Sequence, residues 1–410
     1  MIVLCNQIRT LILTLQYEHR ASYYNDWINA YELSALFDVK IINLMELEPD
    51  NLTSLIEDFD LIILLHSVTG DSLFYLEPIK NILANRKRAL LLSFVGNEFN
   101  SPYVGIADKI KILKSSRVDI IATQLLEEAG KYIYQKSGAE VVSIPHALNP
   151  KLFIPTKTYN ERKIDIGMRS YRYPPYLGDK ERNDIIDYFV DNGKELKLKT
   201  DIDTTKRFTP TDWAKFLGGC KAVLSTETGS WFLQPDDDLV NRVHEYAQKQ
   251  RSGIVIDEKN PLRRLARYLP ASLKSPIMSI LKKGPIKYGV FEDEKLDFDE
   301  VYERFFKTAK RCPAYSKAIS SRNFDAIGTK TVQIMFKGRY NDILEADKHY
   351  IALEKDFSNI DEVIEKLSDE TIWNSLVNEA YNMVMQNHTY EHRAKQTYEI
   401  VVAFINNKNE

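Results

Sequence analysis

Short apolar runs without alternation, separated by helix-length stretches, constrain this chain most. Leu11–Leu15, Val39–Asn43, Asp60–His66, Ala89–Phe94, Asp119–Thr123 and Glu140–Ile144 are rich in Ile, Leu or Val and show no clean period of two. A strand covered on both faces reads this way, because every side chain meets an apolar layer. Between these runs, about Ala21–Leu36, Leu76–Asn85, Gly105–Lys114 and Glu127–Ser137 read as helices. Such alternation predicts an α/β class fold with a doubly wound parallel sheet and right-handed crossovers.

Three prolines then punctuate Ile144–Pro155: Pro145, Pro150 and Pro155. Proline bars itself and the residue before it from continuing a helix, so an extended linker is expected. The α/β pattern restarts with a strand at Lys163–Met168 and a helix from about Lys180. Later strands are expected at Ala222–Ser225, Gly253–Asp257, Thr331–Phe336 and Tyr350–Leu353. Helices at Ile360–Leu367, Ile372–Gln386 and Tyr390–Ile405 close the chain. Its 410 residues exceed a single core. We read residues 1–150 as a first Rossmann-like domain, 151–388 as a second, and 389–410 as a terminal helix.

With 44% hydrophobic and 28% charged residues, the chain is expected to fold. Fifty-five Lys+Arg against 58 Asp+Glu leave a net charge of −3. That argues against a dedicated nucleic-acid binder, so no nucleic-acid partner is expected. Cys5, Cys220 and Cys312 are too few and too scattered for a disulfide framework. A reducing, cytoplasmic setting follows. No signal peptide and no membrane-spanning run of about 18 apolar residues is read. One stretch departs from the balance. Lys259–Tyr288 carries eight Lys/Arg and no acid, and Glu292–Glu300 behind it carries six acids and one lysine. This insert, about 258–300, is either a solvated loop or a basic amphipathic surface that meets anionic lipid or an anionic acceptor.

Two α/β domains joined by a linker suggest a cleft enzyme, with ligands beyond the carboxyl ends of the strands. No GxxxxGK[ST] loop is present, and no GxGxxG follows a strand. P-loop hydrolysis and ordinary dinucleotide chemistry are therefore not expected. His388 and His392 have zinc-pair spacing but no visible third ligand. Asp201-Ile202-Asp203 and Asp236-Asp237-Asp238 match the short acidic triplet that can hold a metal, and no metal is predicted.

The C-terminal half carries a resemblance. Arg322-Asn323-Phe324-Asp325-Ala326, the Gly328-Thr329 turn, Gly338-Arg339-Tyr340-Asn341, His349-Tyr350-Ile351-Ala352-Leu353 and Asp356-Phe357-Ser358-Asn359 follow one another in order. This series resembles the nucleotide-sugar end of group 1 glycosyltransferases with the GT-B fold, in a bacterial branch. The linker, Ile166–Glu181 and Trp213–Ser230 are similar to further segments of that family. The resemblance covers about residues 140–395 and extends to the N-terminal part only in pattern. It implies two facing Rossmann-like domains with parallel sheets. The first would hold the acceptor, the second the nucleotide sugar, and the last helix would return to the first domain.

The resemblance also implies roles. Arg169 with Arg172 or Lys180 would clamp the leaving diphosphate, aided by helix N-terminal amides; each is equally an arginine or lysine paired with a nearby acid. Asp325 stands where the family has a glutamate for the ribose hydroxyls, and Arg322, Gly328 and Thr329 belong to the same donor motif. Eight residues earlier, where the broader group has a second glutamate, this chain has Lys317. Glu227 is a candidate substitute, or a cap. Arg339, Tyr340 and Asn341 would line the nucleotide pocket. Glu98, in Gly96-Asn97-Glu98-Phe99, would face the acceptor as an orienting group or base, with His66 beside it. The catalytic set is then Glu98, Arg169 and Glu227. The implied reaction moves a sugar from a nucleotide-sugar co-substrate to a glycan or lipid-linked acceptor, with retention and without metal or cofactor. The setting would be bacterial surface polysaccharide synthesis on the inner face of the membrane. An epimerase of the same fold and a silent glycan- or partner-binding protein are the alternatives.

Overall fold

A computed structural model describes residues 7–16, 22–47, 50–249, 255–256, 287–288 and 296–409. Most of the basic insert, 258–300, lies outside the described residues, and so does Cys5.

The first sheet is built from β1 (Ile8–Thr14), β2 (Phe37–Asn43), β3 (Leu61–Leu64), β4 (Leu90–Phe94), β5 (Ile120–Thr123) and β6 (Glu140–Ser143). Its order is β2-β1-β3-β4-β5-β6, parallel throughout. Helices α1 (Ser22–Glu32), α2 (Asp50–Leu55), α3 (His66–Gly70), α4 (Lys80–Ala84), α5 (Ile106–Ser115) and α6 (Glu127–Tyr134) connect the strands. The missing alternation now has its cause. Leu11, Leu13, Ile62, Leu64, Leu91 and Ile121 point into one apolar layer. Their neighbours Ile12, Leu61, Ile63, Leu92, Ile120 and Ala122 point into the other. Each such Leu or Ile side chain contributes about 1.5–3 kcal/mol on burial.

The second sheet comprises β7 (Ile164–Arg169), β8 (Thr200–Asp203), β9 (Cys220–Ser225), β14 (Val332–Phe336) and β15 (Ile351–Leu353), in the order β15-β14-β9-β7-β8. It too is parallel. Short β10 (Thr228–Gly229) pairs antiparallel with β13 (Lys317–Ala318), and β11 (Val255–Ile256) pairs with β12 (Lys287–Tyr288). The helices here are α7 (Glu181–Asn192), α8 (Pro210–Gly219), α9 (Asp238–Lys249), α10 (Phe298–Val301), α11 (Ser321–Gly328), α12 (Ile360–Ser368), α13 (Glu370–Asn387) and α14 (Tyr390–Asn409). Edge strand β8 and helices α8 and α9 were not anticipated from the sequence. The β8 residues Thr-Asp-Ile-Asp are mostly polar, as suits an edge that faces water on one side.

The chain crosses between the two sheets twice. Leu148 in the linker and Thr389 before α14 lie side by side in a parallel bridge. The Leu148 N–H donates to His388 O (2.9 Å), and the Tyr390 N–H donates to Leu148 O (3.1 Å). Beyond this point α14 lays Tyr390, Ala394 and Val401 into the apolar layer under α1. The Tyr31 and Thr397 hydroxyls meet at 2.9 Å. No described helix is long and apolar enough to cross a membrane.

Candidate active site

A pocket opens beyond the carboxyl ends of β7 and β9. Met168 to Ser170 and Val223 to Thr226 form its floor. Arg182 from α7, Trp213 from α8, and Ser320 and Arg322 at the start of α11 form its walls. Ser320 precedes the helix, and its N–H and hydroxyl both donate to Asn323 Oδ1 (2.9 and 2.8 Å). That cap fixes where α11 begins, so the partial positive charge of the helix N-terminus lies at the pocket.

Two guanidiniums share this space. Arg182 is buried, stacks 3.9 Å from the Tyr173 ring centre and donates to the Tyr173 hydroxyl at 2.9 Å. Arg322 makes no hydrogen bond or ion pair among the described residues. Burial, together with the charge of Arg182, holds its pKa down at about 10. An anion between the two would relieve both penalties. Arg322 was read from the sequence, whereas Arg182 was missed, lying among the acids of α7 with no motif to mark it.

Asp325 lies one helical turn after Arg322. Burial pushes its carboxyl up to about 8, while Trp213 Nε1–H donates to Oδ2 at 2.9 Å. The charge of Asp26, on α1 of the first domain, raises it further. Asp26 is also buried, is pushed up to about 6, and accepts from Asn149 Nδ2–H at 2.6 Å. Asp325 therefore senses the Asp26 carboxyl across the domain boundary. No motif in the sequence singled out Asp26.

Several expected ligands are engaged elsewhere. The Arg169 guanidinium edges the pocket, but it donates to Asp201 Oδ1 (2.8 Å), Asp201 O (2.8 Å) and Met168 O (2.8 Å). It also packs 4.2 Å from the Phe216 ring centre, so it is an anchor of the β7–β8 edge. Arg172 is forked onto Asp187, and Lys180 lies between Asp184 (3.6 Å) and Asp299 (3.5 Å). These acids meet the charges that the diphosphate clamp would need. Gly328 and Thr329 sit at the far end of α11. A Cβ on Gly328 would come within 2.8 Å of Phe153, and the Thr329 hydroxyl meets Thr331 (2.9 Å) and Ala326 O (3.0 Å). They pack the helix against the linker rather than touch the pocket.

The turn after β14 joins the domains. Arg339 pairs with Glu128 of the first domain at 2.6 Å and with Asp342 at 2.5 Å. Asn341 accepts from the Ile319 N–H (2.7 Å) and donates to Gln124 O of the first domain (2.9 Å). Tyr340 is buried, with its hydroxyl on Phe336 O at 2.7 Å, so its ring is not available to stack a base. Tyr340, Asn341 and Asp342 all have positive φ, an uncommon run for residues with side chains. Glu227 supports it. Its Oε1 accepts from the Tyr340 N–H (2.7 Å) and Oε2 from the Tyr315 hydroxyl (2.5 Å), and burial raises its pKa. Glu227 is thus a brace, not an exposed base.

Glu98 is buried as well. It accepts from the Thr123 hydroxyl (2.6 Å), the Gln124 N–H (2.6 Å) and the Tyr134 hydroxyl (3.1 Å), with burial raising its pKa. One of these ties holds the Gln124 backbone and the other two lie within the first domain, so Glu98 is engaged internally rather than open to an acceptor. The Gln124 side-chain amide lies 2.6 Å from His66 Nε2. His66 is buried, held neutral by burial and by His146, and its Nδ1 has no partner. His66 and His146 stack at 5.3 Å.

The other candidates are accounted for. Asp203 accepts from the backbone of its own turn, and Asp237 caps α5. His388 bonds Arg393 and His392 bonds Thr389. No group of metal-binding side chains occurs among the described residues.

Residues 294–399 match the model of the family described as glycosyl transferase-like. The solved structure of an alpha-glucosyltransferase in complex with UDP-glucose and DNA containing an abasic site is similar over 97% of this chain and 100% of that one. Its TM-score is 0.52 and its identity 12%. HepE of Anabaena in complex with UDP and glucose is similar over the same shares, with TM-score 0.51 and 8% identity. The GT-B fold expected from the motifs is thereby borne out, and the glycosyl transferase-like match falls largely within the segment that carried the resemblance. The exclusion of a nucleic-acid partner gains no support, because the same fold is seen in complex with DNA. No curated protein sequence matches the chain.

Proposed function

We propose that the protein transfers a sugar from a nucleoside diphosphate sugar, held in the pocket of the second domain, to an acceptor hydroxyl presented by the first. One observation carries the reading: Arg182 and Arg322 face a single pocket at the start of α11, and neither is in an ion pair among the described residues. When the bond from the sugar carbon to the phosphate oxygen breaks, its electron pair stays on the diphosphate. The two guanidiniums and the helix N-terminus meet that growing charge. They supply what a metal ion would, so the reaction proceeds without metal or cofactor, and chelation leaves turnover unchanged. Asp325 lies beside this clamp, where the resembled family has a carboxylate for the ribose. A short stem and the Trp213 bond limit its reach.

His66, Gln124 and Asp26 line the first domain's side of the boundary and form the acceptor face in this reading. We propose a glycan or lipid-linked acceptor, retention of configuration, and a role in bacterial surface polysaccharide synthesis on the inner membrane face. The basic run Lys259–Tyr288 supports a site near anionic lipid.

A thermal-shift screen with nucleoside diphosphates and their sugars tests the donor site. A ligand at about 100 times its Kd stabilises the native state by about 2.7 kcal/mol. A shift with UDP or GDP is expected, and no shift with any nucleotide would overturn the reading. Incubation with donor alone separates an epimerase, which would isomerise the sugar. Acceptor trials with glycans, lipid-linked sugars and duplex DNA separate the acceptor classes.

A further inference from the structure

We propose that Lys317 is a positioning residue for the donor pocket, tying together the two segments that carry Arg182 and Arg322. This rests on the donor-site reading above. Lys317 stands where the resembled family has a carboxylate, yet it is wholly buried and cannot touch a ligand. Its ammonium lies 2.6 Å from Asp179 Oδ2 and 2.6 Å from Glu181 Oε2. Glu181 is held in turn by Lys355 at 2.6 Å, and these cations keep its pKa down at about 2.

The chain order gives this cluster its consequence. Arg182 directly follows Glu181 at the start of α7. Lys317 sits on β13, three residues before the cap Ser320 and five before Arg322. The two arginines repel one another until an anion binds, and that repulsion acts to part the segments on which they sit. The buried cluster spans the same two segments and opposes the separation. Without Lys317, Asp179 and Glu181 stay together on the Arg182 segment with no tie to the Arg322 segment, and nothing in the cluster opposes the separation.

The test compares a diphosphate with its nucleoside, because only the diphosphate needs both arginines. Calorimetric Kd values are measured for UDP and uridine, and for GDP and guanosine, on wild type and on Lys317→Met. The preference for diphosphate over nucleoside is expected to fall by about tenfold or more, while the nucleoside Kd shifts by less than about twofold. Asp179→Asn keeps the Lys317–Glu181 pair and is isosteric. It should lower the preference by about threefold, and it decides the matter if Lys317→Met does not fold. An unchanged preference in a folded variant, or an equal loss of both affinities, overturns the positioning role. A wild type that binds neither diphosphate overturns the donor reading, and this inference falls with it.

Discussion

Arg182 and Arg322 differ in one respect from three other arginines that the sequence suggested for the donor site. Arg169, Arg172 and Arg339 each have a carboxylate as partner. Replacing either pocket arginine with alanine should therefore weaken UDP or GDP binding by about tenfold to a hundredfold, the worth of a charge-assisted contact of about 1.5–3 kcal/mol. Arg172→Ala breaks only an exposed pair with Asp187 and should leave the same Kd within about twofold, since such pairs contribute about 0–1 kcal/mol. Titration calorimetry on the three variants distinguishes them, and equal losses would remove the case for a two-arginine clamp. The sequence identified the segments that border the pocket but misjudged which side chains turn inward. Arg322 was legible because a motif surrounds it. Arg169 misled because Asp201, the acid that engages it, is distant in sequence and on a strand that was not foreseen. Glu98 and Glu227 occur in turns that ordinarily project outward, and only the folded backbone shows the Gln124 and Tyr340 N–H groups that draw them in.

Strands and helices were legible where packing leaves a pattern. The runs buried on both faces of the two sheets could be found because two apolar layers demand an unbroken apolar sequence. Strand β8 has no such pattern, and α9 buries only one face, through Val240, Val243 and Ala247. Across the domain boundary, elements are joined by a device that sequence hides entirely. Asp237 of the second domain accepts from the N–H groups of Ile106 (3.1 Å) and Ala107 (2.9 Å), so it caps α5 of the first. Gly105 permits the approach, because a Cβ there would lie 2.5 Å from Asp237 Oδ2. Asn100 completes the joint, donating to Asp237 Oδ1 at 2.9 Å. Asp237→Ala removes a cap and should cost about 1 kcal/mol, in the range measured for such residues. The loss should appear as earlier proteolysis of the first domain in limited digestion. Unaltered cleavage would mean that the cap does not couple the domains.

At the scale of the molecule, two buried carboxyls on opposite domains make stability depend on pH. Burial raises Asp325 from an ordinary value of 3.8 to about 8, and Asp26 from 3.8 to about 6. A carboxyl whose native pKa is raised keeps its proton in the folded chain where the unfolded chain has lost it. The folded state binds more protons between the two values, so stability falls as pH rises through that window. The decline from Asp26 ends near pH 6 and that from Asp325 near pH 8. Asp325→Asn retains an oxygen for the Trp213 indole and removes the titration. Its melting temperature should exceed that of the wild type at pH 8, and the gap should close steadily as pH is lowered toward 4. A gap that does not vary with pH would show that Asp325 does not titrate in this range. Asp26 raises the Asp325 value only because the domains hold the two groups near one another. Asp26→Asn should therefore move the upper end of the Asp325 decline to lower pH, a shift that a loose pair of domains would not produce.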